Sequence, residues 1–232
     1  MSEIIFMLPL SARIPLIMRI LKQRYRTKGV VEMGKAEDTL FATVLSAQST
    51  DVQVLKAYPG FRQRFPTLQS LSEASLKDIE QSIATIGLFR AKARSLKGIA
   101  QQLQVEYQGV VPRTMDELLT LPGVGRKTAS CVLWYAYGIP AMAVDTHVSR
   151  ITQRLGWAKG KTPEQIEAQL KETVPRRYWG DVNRTMVQFG REYCRARKPQ
   201  CATCPLAAQC PYPKKILLPG TPSTSPFVRG RA

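Results

Sequence analysis

Apolar residues along this chain recur at helical spacing, and no segment alternates for long enough to argue a strand. Between residues 13 and 26, Ile14, Leu16, Ile17, Ile20 and Leu21 form an apolar stripe, with Arg19, Lys22, Gln23 and Arg24 as the polar remainder. Asp38 stands where it would cap a second helix carrying Leu40, Phe41, Val44 and Leu45 on one face. That helix ends at Ser46-Ala47-Gln48-Ser49-Thr50, and Asp51-Val52 opens the next. Ser75 and Asp78 begin a helix that buries Ile79, Ile83 and Ile86 and stops at Gly87. Phe89 to Arg94 opens a basic helix with Leu96, Ile99 and Leu103 inside. Thr162-Pro163-Glu164-Gln165 combines a cap, a proline at the first position and a glutamine at the third. The pattern predicts an all-α protein.

One stretch breaks the pattern. Thr114 and Glu117 form a full capping box before a short helix, which Pro122, Gly123 and Gly125 bring to an end. A second helix resumes at Arg126-Lys127-Thr128-Ala129. A helix, a glycine hairpin and a second helix leave unpaired N–H groups at a helix N-terminus, a surface suited to phosphate. Cations at that end oppose the helix dipole, so Arg126 and Lys127 carry a cost that a bound phosphate or a chemical role would offset. The motif by itself is equally compatible with an ordinary corner between helices.

Charge changes the odds. The 232 residues carry 34 Lys+Arg against 17 Asp+Glu, a net +17, which favours a polyanionic partner. Contact with six or more phosphates would make affinity fall by about 10³ or more between low and physiological salt. The apolar run Ile4 to Leu10 is too short to span a membrane, is interrupted by Pro9 and lacks the pattern of a secretory signal. Cys194, Cys201, Cys204 and Cys210 are spaced C-x₆-C-x₂-C-x₅-C, which suits a metal site better than disulfides; zinc and a [4Fe–4S] cluster are both chemically allowed. A metal there would stiffen a basic loop containing Arg195, Arg197 and Lys198. Cys131 reads as a buried small hydrophobe. Residues 214–232, rich in Pro and Ser, read as a disordered tail, and the expected compartment is the cytoplasm.

Leu121-Pro-Gly-Val-Gly-Arg-Lys127-Thr-Ala, then Val144-Asp145-Thr146-His147-Val148, then the four-cysteine spacing together resemble the endonuclease III family of DNA glycosylases. Leu45-Ser46-Ala47-Gln48 and Ile86-Gly87-Leu88 are similar to family stretches in the same order, and the resemblance spans roughly residues 30–212. It implies the helix-hairpin-helix glycosylase fold, with two helical domains and the active-site cleft between them. A six-helix domain would occupy 30–139; residues 1–29 and 140–213 would form the second, carrying the cysteines around a [4Fe–4S] cluster. The resemblance assigns Lys127 as the nucleophile at C1′ of the damaged nucleotide and Asp145 as the essential carboxylate. It gives Gln48 and Leu88 to the gap left by the flipped nucleotide. Gly123, Val124, Gly125 and Arg126 would hold the strand, with Arg195, Arg197 and Lys198 as further DNA contacts. The implied partner is double-stranded DNA with a damaged base or abasic site, bound by a monomer that would be nucleoid-associated in a bacterium or archaeon.

The chemistry is coherent with those residue types. A base must leave the stack before it can be reached. Only about one free lysine in 2,500 is neutral at pH 7, so a nucleophilic lysine needs a helix N-terminus, a neighbouring cation or burial to lower its pKa. Attack expels the base and leaves an imine, from which β-elimination cuts the strand. Asp145 is equally a helix N-cap, and both roles can hold at once. His147, the sole histidine, lacks an acid partner nearby and reads as structural. Monofunctional relatives that remove adenine or mismatched thymine or uracil lack the hairpin lysine, so Lys127 argues against them. A non-catalytic zinc module is the other alternative. The segment Asn183–Gly190, the first ten residues and the tail fall outside the familiar pattern.

Overall fold

The computed structural model describes residues 9–26 and 33–212; the Pro/Ser-rich tail lies outside them. Among the described residues there is no strand. Helix α1 (Leu10–Arg24) starts upstream of its apolar stripe, with the N–H groups of Ala12 and Arg13 both returning to Pro9 O. It runs through Pro15, which forfeits a backbone bond. Burial of Ile14, Ile17, Met18 and Leu21 offsets that loss.

Helix α2 (Ala36–Ser46) follows Lys35 as its N-cap, so Asp38 is not the cap expected of it. Asp38 lies in the first turn, where its carboxylate accepts from Tyr58 Oη at 2.7 Å and pairs with Arg62 at 2.8 Å. Helices α3 (Asp51–Arg64) and α4 (Leu68–Glu73) both begin with complete capping boxes, at Thr50/Gln53 and Thr67/Ser70. Helix α5 (Leu76–Ser82) ends before Gly87, though Ile83 and Ile86 stay buried in the turns that follow. The long helix α6 (Phe89–Glu106) packs on α4, α5 and α2, and α2 in turn packs on α8 (Arg126–Tyr137). The short α7 (Met115–Thr120) lies against α8. Phe41, Phe61, Leu45, Ile79 and Leu96, all fully buried, belong to the core that these helices share.

A second core begins at Met142. Helices α9 (Thr146–Leu155), α10 (Pro163–Thr173) and α11 (Trp179–Glu192) build it, and α1 returns from the start of the chain to pack on α11. Lys22 pairs with the buried Asp181 at 2.6 Å, and Tyr25 Oη donates to Glu192 at 2.6 Å. The two cores meet where α8 touches α11: a Cβ on Gly180 would overlap the Trp134 ring.

Candidate active site and nucleic-acid interface

The hairpin between α7 and α8 is built against α6. A Cβ on Gly123 would overlap the Ser95 side chain, and Gly123 has φ +77°, so both space and backbone demand glycine there. Gly98 of α6 receives Pro122 with no room for a Cβ. The capping box expected at Thr114 is half formed: Thr114 Oγ1 accepts from Glu117 N at 3.3 Å, but its hydroxyl donates to Glu117 Oε2 instead of the carboxylate reaching back to Thr114 N. Val124 departs from the expectation of a strand-holding amide. Its N–H donates to Leu121 O at 3.1 Å and its side chain is buried, so it anchors the turn from inside. Gly123 and Gly125 are both exposed, and among the described residues no backbone carbonyl takes their N–H groups.

Lys127 sits half-buried in the first turn of α8, at the edge of the first core. Asp145 is half-buried at the N-terminus of α9, in the second. Its Oδ1 accepts from Val148 N at 2.8 Å, the N-cap bond that its sequence neighbours suggested, and that fixes the carboxylate's direction. Cys131, one turn below Lys127 and fully buried, registers both. Burial pushes its thiol up; the Lys127 ammonium, through charge and a hydrogen bond, pulls it down, and the Asp145 carboxylate raises it.

Arg126 points elsewhere. Its guanidinium makes a bidentate pair with Glu167 of α10 at 2.9 and 2.8 Å, and Lys171 reaches the same carboxylate at 2.5 Å. Burial alone would raise the Glu167 carboxyl, but those two cations outweigh it and hold it below the usual range. Arg126 therefore braces the hairpin helix against the other lobe, and the charge it would lend to Lys127 is largely neutralised by Glu167.

Gln48 and Leu88 occupy the tips of adjacent turns, one after α2 and one before α6, and both are exposed, Leu88 by 58%. Both adopt left-handed backbone, with φ +51° and +58°. The turns touch: a Cβ on Gly87 would lie 3.3 Å from Gln48 O. Gln53 Nε2 also donates across them to Thr85 O at 3.2 Å.

Cys194, Cys201, Cys204 and Cys210 line one small cavity with Ile151, Leu155, Phe189 and Leu206. Among the described residues, no three Cys, His, Asp or Glu side chains are grouped closely enough for a single metal ion. Arg154 donates to Cys194 Sγ at 3.2 Å and to the carbonyls of Arg195 and Ala196 at 2.8 and 3.1 Å. The backbone of the loop is thereby held while Arg197 and Lys198 are exposed; the Arg195 side chain returns to Arg191 O. His147 is structural in its surroundings, with Nδ1 3.0 Å from Arg150 and the ring against Gly190.

An all-helical, two-core protein with a glycine hairpin, a nearby lysine and a capping aspartate is the constitution of a helix-hairpin-helix repair protein, and the chain belongs to the HhH-GPD superfamily of base excision DNA repair proteins, whose profile matches residues 41–176. Within it, the chain is 45% identical over 173 residues to endonuclease III of Synechocystis, covering 74% of this chain and 79% of that protein. It is 35% identical over 206 residues to endonuclease III of Escherichia coli, covering 89% and 98%. A solved structure of a trapped endonuclease III–DNA covalent intermediate superposes with a TM-score of 0.83 at 36% identity, covering 91% of this chain and all of that one.

Reading the sequence missed Glu167, Lys92 and the contact of Cys131 with Lys127. Lys92 left a signal: it falls on the same helical stripe as Leu96, Ile99 and Leu103, so a lysine stands where an apolar residue belongs. Glu167, buried beside Ile166, is likewise a charge at the edge of an apolar face, but its partner Arg126 lies 41 positions away.

Proposed function

We propose that this base excision repair enzyme, a DNA glycosylase and AP lyase, removes oxidised pyrimidines from duplex DNA with Lys127 as its nucleophile. The observation that carries the reading is Lys127 in the first turn of α8, directly after the glycine hairpin, with the Asp145 carboxylate held as an N-cap by Val148 N at 2.8 Å. The Lys127 Nζ lone pair forms a bond to C1′ as the glycosidic bond breaks and its electron pair leaves with the base. The amine's proton is released as the sugar ring opens to the imine. Loss of a proton from C2′ then expels the 3′ phosphate and cuts the strand. Asp145 accepts from Val148 N through Oδ1, and its carboxylate, so oriented, balances positive charge at the sugar and receives a proton. Gly123 and Gly125 hold the strand through backbone N–H groups, a grip independent of base sequence. Gln48 and Leu88 occupy the gap left by the extruded nucleotide.

The four cysteines would hold a [4Fe–4S] cluster. Four thiols lining one apolar cavity are a donor set that suits a multi-iron group. Such a group would cross-link the loop bearing Arg195, Arg197 and Lys198 and fix its basic tips beside the DNA backbone.

The test is borohydride trapping on a duplex carrying one thymine glycol. A covalent adduct is expected from the wild-type protein and none from Lys127→Ala. An adduct that persists in that variant would sink the assignment of Lys127.

A further inference from the structure

Lys92 is buried, with 6% of its surface exposed, and the two side-chain bonds it makes both go to uncharged oxygens. Its Nζ donates to Leu45 O at 2.8 Å and lies 2.8 Å from Ser49 Oγ. A buried ammonium without a carboxylate is costly, and burial pushes it down to about 8. A core that needed only volume at this position would be served by methionine or leucine. The position therefore asks for an explanation beyond packing.

The last turn of α2 supplies one. Its four final carbonyls have no partners within the helix. Thr43 O receives Ser46 Oγ at 2.8 Å, Val44 O receives Ala47 N at 3.3 Å, and Ser46 O receives Ser49 N at 3.2 Å. Leu45 O receives Lys92 Nζ, a cation at the negative end of the helix dipole. The C-terminus of α2, from which the Gln48 turn springs, is thus completed by a side chain of α6. Lys92 is also one turn from Leu88, and its own N–H donates to Leu88 O at 3.1 Å. One residue accordingly holds both exposed tips: Leu88 through its backbone, and the Gln48 turn through its ammonium on Leu45 O and Ser49 Oγ. Both tips are non-glycine residues in left-handed backbone, a conformation that persists only where the surroundings over-determine it.

We infer that Lys92 is a positioning residue for lesion extrusion: by clamping the end of α2 and Ser49 to α6, it makes the Gln48 and Leu88 turns a single rigid wedge. The inference rests on the reading of Gln48 and Leu88 as the groups that fill the vacated space.

The experiment compares Lys92→Met and Lys92→Gln with the double variant Gln48→Gly/Leu88→Gly. The duplexes carry 2-aminopurine opposite a thymine glycol, and its fluorescence rise on binding reports unstacking. Thermal melting establishes which variants fold, and trapping on a preformed abasic site reads the lysine chemistry alone. With Lys92→Met we expect trapping at an abasic site within about 2-fold of wild type, little fluorescence rise, and excision of the paired lesion slower by about 10- to 100-fold. Lys92→Gln, which keeps a donor on a shorter stem, should recover part of the rise. If the double variant loses the rise and the folded Lys92 variants keep it, Lys92 is not a positioning residue while the wedge reading stands. If the double variant keeps the rise, the wedge reading fails and takes this inference with it. Should neither Lys92 variant fold, Lys92 is a folding residue and the inference is overturned.

Discussion

The hairpin and the paired turns at Gln48 and Leu88 use the same left-handed backbone with opposite residue types. At Gly123 (φ +77°) the chain has glycine, and Ser95 leaves no space for anything larger. At Gln48 and Leu88 (φ +51° and +58°) it has long side chains pointing outward. Left-handed backbone costs a non-glycine residue about 1–2 kcal/mol. The difference follows from which atoms are the working surface. On the proposed function, bare amides of the hairpin would meet the strand, so a side chain there would only obstruct. In the turns, the side chain would be the working part on that proposal, and Lys92, Gln53 and the contact at Gly87 hold the backbone in place.

That comparison can be broken at three points, in order of expected effect. Gly123→Ala should be the most damaging, because strain and overlap with Ser95 act together. We expect a loss of about 2–4 kcal/mol in chemical unfolding, with weaker binding to undamaged duplex at every salt concentration. A change below about 0.5 kcal/mol would mean that the turn can relax, and that the case for an enforced glycine is wrong. Arg126→Ala comes next. It leaves the buried Glu167 with Lys171 alone, and stability should fall by about 1–2 kcal/mol, while the salt slope of DNA binding stays unchanged because this arginine faces Glu167. A slope reduced by about one would instead return Arg126 to the phosphate-contacting set. Leu88→Gly is the smallest and opposite in sign. Removing strain at an exposed position should leave stability level or raise it by up to about 1 kcal/mol, while excision from paired duplex falls. A loss of stability there would show Leu88 to be a packing residue.

Much of this was legible along the chain. The all-α class followed from apolar spacing, and the hairpin from proline and glycine between two helix-forming runs. Asp145 as a cap followed from its residue type at a helix start, and the bond to Val148 N is the one such a residue makes. Thr162, Pro163 and Gln165 gave a complete capping box because all its atoms lie within four residues. Local rules still faltered where a distant partner competed. Asp38 left the cap for Tyr58 and Arg62 on α3.

The roles of Arg126 and Lys92 show the other side. Two adjacent cations, Arg126 and Lys127, are indistinguishable in sequence, yet Arg126 turns to a carboxylate on α10 while Lys127 lies beside the buried Cys131 thiol. Periodicity, capping and turn chemistry depend on neighbours within about one helical turn, so the chain alone determined its helices, its hairpin and where its reactive residue types lie. Which cation is neutralised and which lysine is bonded depend on groups more than forty residues away, Glu167 across the two cores and Leu45 and Ser49 within the first. Those choices belonged to the tertiary structure.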